Sequence, residues 1–133
     1  MPAIIWDDSF SVHNDEIDGQ HKKWITIIND LHAALIGDTV IGKDVTVQSL
    51  KAMDDYTRFH FSHEEAFLRS VNYPDYDAHV ELHEAFLKMM KRYMDDIEHD
   101  RVVLNTEIMK VLKNWLQHHI LEEDMKYASY GEH

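Results

Sequence analysis

Histidine and carboxylate side chains recur at helical spacing on several separate segments of this sequence. His60 and Glu64 lie four residues apart, and a second pair of histidines further along the chain has the same spacing. Because residues four apart on an α-helix are neighbours on one face, each pair can bind a single metal ion. The complete set of candidate metal ligands is His21, His60, Glu64, His79, His83, His119 and Asp124.

These side chains stand among apolar residues that have the period of a helix and predict a buried face. Burying each polar group without a partner costs about 1–3 kcal/mol, and a metal ion removes that cost by taking nitrogen and oxygen ligands. A lone histidine on such a face is most often an ordinary core residue, but four segments contributing together argue against coincidence. Five imidazoles and two carboxylates exceed the needs of one ion. They predict two first-row metal ions bridged by the carboxylates, with one coordination position free.

The spacing between His119 and Asp124 differs from that of the other pairs. Five residues on a regular α-helix place two side chains about 140° apart. A π-type turn has hydrogen bonds between residues five apart and tends to occur at functional sites. The sequence therefore predicts a local irregularity between His119 and Asp124.

The remaining histidines have weaker claims to a metal. His63 and His118 directly precede proposed ligands in the sequence but lie about 100° off the buried helix face. Each stays open as an alternative to its neighbour. His32 is predicted to be a hydrogen-bonded core residue. The three others are assigned to the arm, a loop and the tail: His13, His99 and His133.

The hydrophobic periodicity predicts an all-α protein, an up-down-up-down four-helix bundle with an extended N-terminal arm. We expect a single domain over residues 1–133, with an arm over about 1–17 and a bundle over about 18–127. The predicted arm anchors are Ile4, Ile5, Trp6, Phe10 and Val12. The first predicted helix starts after Asp18, and Gly37 and Gly42 bracket the loop that follows it. The second helix is predicted from Val47 to Val71 and the third from Tyr76 to Glu98. The fourth is predicted to start near Asn105 or Thr106.

Composition excludes several other kinds of function. The chain has no cysteine, so disulfides, iron–sulfur clusters, thiolate zinc sites and cysteine nucleophiles are excluded. A formal charge of −12 opposes binding to nucleic acid or to anionic membrane surfaces. The first residues lack the pattern of a signal peptide, and no apolar run is long enough to span a bilayer. We therefore expect a cytoplasmic protein without nucleic-acid or membrane partners.

The four motifs resemble those of the bacterial haemerythrins, in the same order and over nearly the whole chain, from about Ile4 to Tyr127. They read Asp18-Gly-Gln-His21, His60-Phe-Ser-His-Glu64, His79-Val-Glu-Leu-His83 and His119-Ile-Leu-Glu-Glu-Asp124. The resemblance implies two iron ions, Fe²⁺ or Fe³⁺, one bound by His79, His83 and His119 and the other by His21 and His60. It also implies that Glu64 and Asp124 bridge both ions together with an oxo or hydroxo group.

The resemblance further implies reversible dioxygen binding, for storage or delivery, by a protein that is not an enzyme. The dioxygen pocket would be lined by Leu116, Ile120 and Trp24. Two departures from the family are visible: His13 and Asn14 stand where relatives often have a glycine, and Trp24 replaces a smaller apolar residue. Outer hydrogen bonds to the ligand imidazoles are expected, but the sequence does not place them.

Other functions stay open. The domain could be an oxygen or redox sensor, or a diiron enzyme of peroxidase or nitric-oxide-handling type. The chain lacks the Glu-x-x-His motif of ferritin-like diiron proteins, which favours binding over oxidation chemistry. A structural zinc ion is disfavoured because zinc prefers four ligands.

Overall fold

A computed structural model describes residues 4–36 and 42–131, and within these ranges the chain is helical and contains no strand. The four main helices are α1 (Asp15–Ile36), α2 (Lys43–Ser70), α3 (Tyr76–Glu98) and α4 (Thr106–His118). Helix α2 packs against α1 and α3, and α4 packs against α1. This is the predicted up-down-up-down four-helix bundle. The predicted loop from Gly37 lies outside the described residues up to Gly42, as does the tail residue His133.

Side-chain capping accounts for where α1 and α4 begin. Helix α3 has the predicted bounds, and α4 begins after Asn105, whose side chain accepts a hydrogen bond from the Ile108 amide. Helix α1 begins at Asp15, before the predicted start, because the Asn14 side chain accepts hydrogen bonds from two amides of the first turn. The predicted arm over 1–17 is therefore too long, since the helix already includes its last three residues. Helix α2 likewise begins four residues before Val47.

The arm is attached to α1 by side-chain hydrogen bonds at two places. Asn29 accepts from the backbone amide of Ile4 at 2.9 Å and donates to its carbonyl at 2.7 Å. Asp18 accepts from the amide of Val12 at 2.9 Å and from the hydroxyl of Ser11 at 2.6 Å. These bonds hold the arm against the first turn of α1 and against its middle.

Four of the five predicted arm anchors contribute to packing. Ile4, Phe10 and Val12 are buried, and Trp6 packs against the core. The prediction for Ile5 is wrong, because its side chain is 66% exposed. In extended backbone successive side chains point to opposite sides, so Ile5 faces away when Ile4 is buried.

The helical type changes directly after α4, at the segment that contains the candidate ligands His119 and Asp124. The segment His119–Glu123 is a π-helical turn, and Asp124–Gly131 continues as a 3₁₀-helix. The backbone amide of Asp124 donates to the carbonyl of His119, five residues earlier. The predicted irregularity is confirmed, and it brings Asp124 beneath His119.

Apolar side chains surround the candidate site from both sides along the bundle. A large buried cluster includes Phe61, whose ring stacks on His83, and a smaller one includes Tyr127, whose ring contacts His79. Among the helices described, none is sufficiently long and apolar to cross a membrane.

Candidate metal centre

All seven predicted ligands converge in the interior of the bundle. Each is at most 3% exposed to solvent. Helix α1 supplies one residue, α2 and α3 supply two each, and the π-helical turn together with the residue after it supplies the last two. In order along the chain they are His21, His60, Glu64, His79, His83, His119 and Asp124.

The donor atoms form two groups, in each of which all atoms lie within 4.8 Å of one another. One group consists of Glu64, His79, His83 and His119, and the other of His21, His60, Glu64 and Asp124. Glu64 belongs to both groups. Two metal ions in adjacent positions therefore fit the donor set, and three of the five histidines belong to one of them.

The carboxylate of Glu64 lies between the two groups. Its Oε1 is 2.6 Å from Nε2 of His79 and 2.9 Å from Nε2 of His83. Its Oε2 is 3.3 Å from Nε2 of His60 and 3.6 Å from Nε2 of His21. One oxygen therefore faces the three-histidine group and the other faces the two-histidine group.

Asp124 has the same arrangement on the other side of the centre. Its Oδ1 is 3.1 Å from Nε2 of both His79 and His119, and its Oδ2 is 3.1 Å from Nε2 of His21. Two carboxylates that each present one oxygen to each histidine group suit bridging between two ions.

Unpartnered polar atoms show that the site fits metal ions. Among the described residues, both oxygens of Asp124, both ring nitrogens of His21 and Nε2 of His60 are buried without a hydrogen bond. In addition, Nε2 of His83 and Nε2 of His119 approach to 3.2 Å. A bound cation would take the lone pairs of these nitrogens and oxygens and so offset the cost of burying them.

The two carboxylates stabilise positive charge on three of the neighbouring histidines, as the pKa shifts of these histidines indicate. Burial by itself lowers the pKa of His21, His79 and His119, but the adjacent Asp124 and Glu64 outweigh it. They raise the pKa to about 9 for His21, about 10 for His79 and about 9 for His119. Burial raises the pKa of each carboxyl group, yet the surrounding histidines bring it below its ordinary value. The pocket is thus built to hold cations beside two anionic groups.

His60 behaves differently from these three histidines. Burial lowers its pKa below the usual value, and the opposing contact with Glu64 does not overcome this effect. A neutral imidazole is the form that binds a metal ion, so His60 needs no deprotonation to act as a ligand.

Aromatic rings pack on the ligands of the three-histidine group. The Phe61 ring is parallel to the imidazole of His83 at a centroid distance of 3.7 Å, and Trp115 stacks on His119 at 4.6 Å. These contacts fix the ring planes of both imidazoles. Neither aromatic contact was predicted from the sequence.

Three further residues that were not predicted to take part form hydrogen bonds with the seven ligands. Gln20 bonds Nδ1 of His60, Glu65 bonds Nδ1 of His83, and Tyr127 donates to Glu64. Gln20 and Glu65 directly precede or follow predicted ligands, and Tyr127 follows Asp124 by three residues. That adjacency is the available sequence signal, but it does not distinguish a partner from a surface residue.

The other histidines lie away from the centre wherever the structure describes them. His63 contacts Glu16 at 3.4 Å on the outside of the bundle, and His118 is exposed. Neither alternative to the predicted ligands is therefore close to the site. The prediction for His32 is wrong, because it is half-buried and lines a surface cleft rather than the core.

The predicted pocket residues Trp24, Leu116 and Ile120 are fully buried in the large apolar cluster. The Trp24 ring lies 5.3 Å from that of His60 and 6.4 Å from that of His21, between ring centroids. Trp24 is thus next to the two-histidine group. Its indole N–H is buried without a hydrogen-bond partner among the described residues.

Fold and site together define an all-helical metal-binding protein with a two-ion donor set. Residues 12–130 match the family model of the Hemerythrin HHE cation binding domain. The chain belongs to this haemerythrin family, and membership implies a non-haem diiron site.

Similarity to individual proteins supports the same family assignment. The chain is 30% identical over 126 residues to a Bacteriohemerythrin of Clostridium acetobutylicum, covering 93% of this chain and 98% of the relative. It is 34% identical to a Hemerythrin-like protein of Naegleria gruberi, covering 92% and 88% respectively. A crystal structure of wild-type hemerythrin superposes with a TM-score of 0.90 at 22% identity, over 98% of this chain and 99% of the other, which shows the shared fold.

Proposed function

We propose that this chain is a single haemerythrin-like domain that binds dioxygen reversibly at a non-haem diiron centre, for oxygen storage or delivery. The observation that carries the proposal is the division of the five histidines into groups of three and two. Glu64 and Asp124 each present one oxygen to the three-histidine group and the other oxygen to the two-histidine group.

The count of donors supports one ion with all its coordination positions filled and a second ion with one position free. Three histidines, two carboxylate oxygens and a bridging oxo or hydroxo group would complete six positions at the first ion. The two-histidine ion would then have five ligands, and its sixth position would be open to dioxygen. When bound, the two ferrous ions supply the electrons that dioxygen takes up as it binds.

The protein's own side chains would hold the ions and keep water away. Trp24 lies beside the two-histidine group and, with Leu116 and Ile120, belongs to the large apolar cluster, which would exclude water that promotes irreversible oxidation. Among the described residues, the ionisable side chains outside the proposed ligand set that form a hydrogen bond with a proposed ligand are Glu65 and Tyr127.

The test combines metal analysis with optical spectroscopy. Purified protein reconstituted with ferrous iron under anoxic conditions should hold two iron ions per chain. Admission of air should produce a visible absorption band that disappears under vacuum and returns with air over repeated cycles. A single ion per chain, or oxidation without a reversible band, would contradict the proposal.

Further assays separate the other functions predicted from the sequence. Catalytic consumption of peroxide or nitric oxide at a steady rate would indicate an enzyme. A partner protein captured in an oxygen-dependent manner would indicate a sensor. The cytoplasmic location stays a prediction, and fractionation of the cells that make the protein would test it.

A further inference from the structure

The outward nitrogens of two proposed ligands have different hydrogen-bond partners. Nδ1 of His60 lies 2.7 Å from Oε1 of Gln20, and Nδ1 of His83 lies 2.8 Å from Oε2 of Glu65. In both imidazoles Nε2 faces the centre, at 3.3 Å and 2.9 Å from the Glu64 carboxylate. One histidine comes from each metal group, so each group has one outer partner of this kind.

The acceptors fix the tautomer of both histidines. An amide oxygen and a carboxylate oxygen only accept hydrogen bonds, so Nδ1 carries the proton in His60 and in His83. The lone pair of the neutral ring is then on Nε2, where the metal would bind. In this respect Gln20 and Glu65 act alike.

Their charges differ. Gln20 is a neutral amide and is buried. Glu65 is a carboxylate whose side chain is 24% exposed, at the rim of the site. A carboxylate that accepts from the outer nitrogen draws the proton away from the ring and makes Nε2 a stronger donor to the metal, whereas an amide does so less. Stronger donation favours the ferric state over the ferrous state.

We propose that Glu65 is a positioning residue that gives the three-histidine ion a lower reduction potential than the two-histidine ion, while Gln20 orients His60 without adding charge. This inference rests on the proposed diiron function. In a redox titration, the first electron that the diferrous protein gives to the added chemical oxidant would then come from the three-histidine ion. The two-histidine ion, which would bind dioxygen, is then the second to be oxidised.

Two reciprocal substitutions test the role of charge while keeping an acceptor oxygen at each position. Glu65→Gln removes the charge beside the three-histidine ion, and Gln20→Glu adds one beside the two-histidine ion. Anaerobic redox titration of the reconstituted protein, followed by visible absorption, measures both one-electron midpoints. We expect the mean midpoint to become more positive in Glu65→Gln and more negative in Gln20→Glu. The separation between the two midpoints should shrink in both.

A matched control accounts for net charge. Glu81→Gln removes the same charge from an exposed position of α3, two residues before His83. Its midpoints should stay near those of the unsubstituted protein. Equal shifts in Glu81→Gln and Glu65→Gln, or no shift in either reciprocal variant, would overturn the inference.

A third variant measures the orienting role separately. Glu65→Ala removes both charge and acceptor, and loss of such an outer partner typically weakens metal binding by about 10- to 100-fold. Iron retention against a chelator should fall in Glu65→Ala and be largely preserved in Glu65→Gln. Failure of the unsubstituted protein to hold two iron ions would refute the proposed function. Intact loading with unchanged potentials would refute this inference alone.

Discussion

The hydroxyl of Tyr127 donates a hydrogen bond of 2.9 Å to Oε2 of Glu64, the oxygen that faces the two-histidine group. Tyr127 is fully buried, and burial together with the nearby Asp124 and Glu64 raises its pKa well above the ordinary value. The hydroxyl therefore stays protonated and remains a donor. Through this bond the small apolar cluster, to which Tyr127 belongs, fixes the orientation of a proposed bridging ligand.

We predict that Tyr127→Phe weakens both the fold and the metal site. A hydrogen bond to a charged group contributes about 1.5–3 kcal/mol, so the free energy of unfolding of the metal-free protein should fall by about that amount. Urea denaturation measures this change, and transfer of iron to a chelator should be faster. Tyr130→Phe is the control, because Tyr130 contacts Tyr73 rather than Glu64. Equal behaviour of the two variants would show that the Tyr127 hydroxyl has no part in holding Glu64.

A second prediction separates proposed ligands from neighbouring histidines. His60→Ala should reduce the iron content below two per chain, whereas His63→Ala should leave it unchanged, because His63 contacts Glu16 outside the bundle. His119→Ala and His118→Ala form a second matched pair for the three-histidine ion. Circular dichroism establishes that each variant is folded. Loss of iron in the His63 or His118 variants alone would reverse the ligand assignment.

Much of this site could be predicted because its main determinants are local in sequence. The spacing of four between His60 and Glu64 places both on one face of any regular helix. The spacing of five between His119 and Asp124 predicted the π-helical turn. Hydrophobic periodicity gave the four helices and the bounds of α3. Helix α1 was predicted to start too late because its start depends on how the Asn14 side chain caps the helix.

The outer partners could not be predicted because tertiary packing decides them. Gln20 is 40 residues from His60, Glu65 is 18 from His83, and Tyr127 is 63 from Glu64. Periodicity along one helix says nothing about which side chain of another helix it meets. The same limit explains His32, which lines a surface cleft together with residues of α4 that the periodicity of α1 does not identify.

The metal-free protein should be most stable near pH 6.5, because burial lowers the pKa of His60 and stability is lost at lower pH, where this histidine would be protonated in the unfolded chain. His21, His79 and His119 have a pKa of about 9 to 10, raised above the ordinary value of about 6.5. Their contribution to stability is present below pH 6.5 and is lost as the pH rises through 9 to 10. The carboxyl groups of Glu64 and Asp124 have lowered pKa values, so their contribution is lost as the pH falls below about 4. Urea denaturation at a series of pH values measures this profile.

Because His21, His79 and His119 are protonated in the metal-free protein near neutral pH, metal uptake should release protons. At pH 8 the three histidines with raised pKa are protonated without metal and must lose their protons to bind it. Anoxic addition of ferrous iron to weakly buffered protein should release more than one proton per chain, measured with a pH indicator. Metal affinity should rise with pH up to about 9 to 10. Uptake without proton release would contradict the charged state of these histidines.

Trp24 should protect the diferrous protein from oxidation. Its ring is fully buried and lies close to His21 and His60, where the open position of the proposed centre would be. Trp24→Leu opens space beside this position, and a cavity next to polar groups admits water, which assists irreversible oxidation. We expect oxidation in air to be about tenfold faster, equivalent to about 1.4 kcal/mol in the barrier, as measured by decay of the visible band. Trp6→Leu is the control, because Trp6 stacks on Phe10 in the arm. An unchanged rate in Trp24→Leu with iron content intact would show that another side chain excludes water.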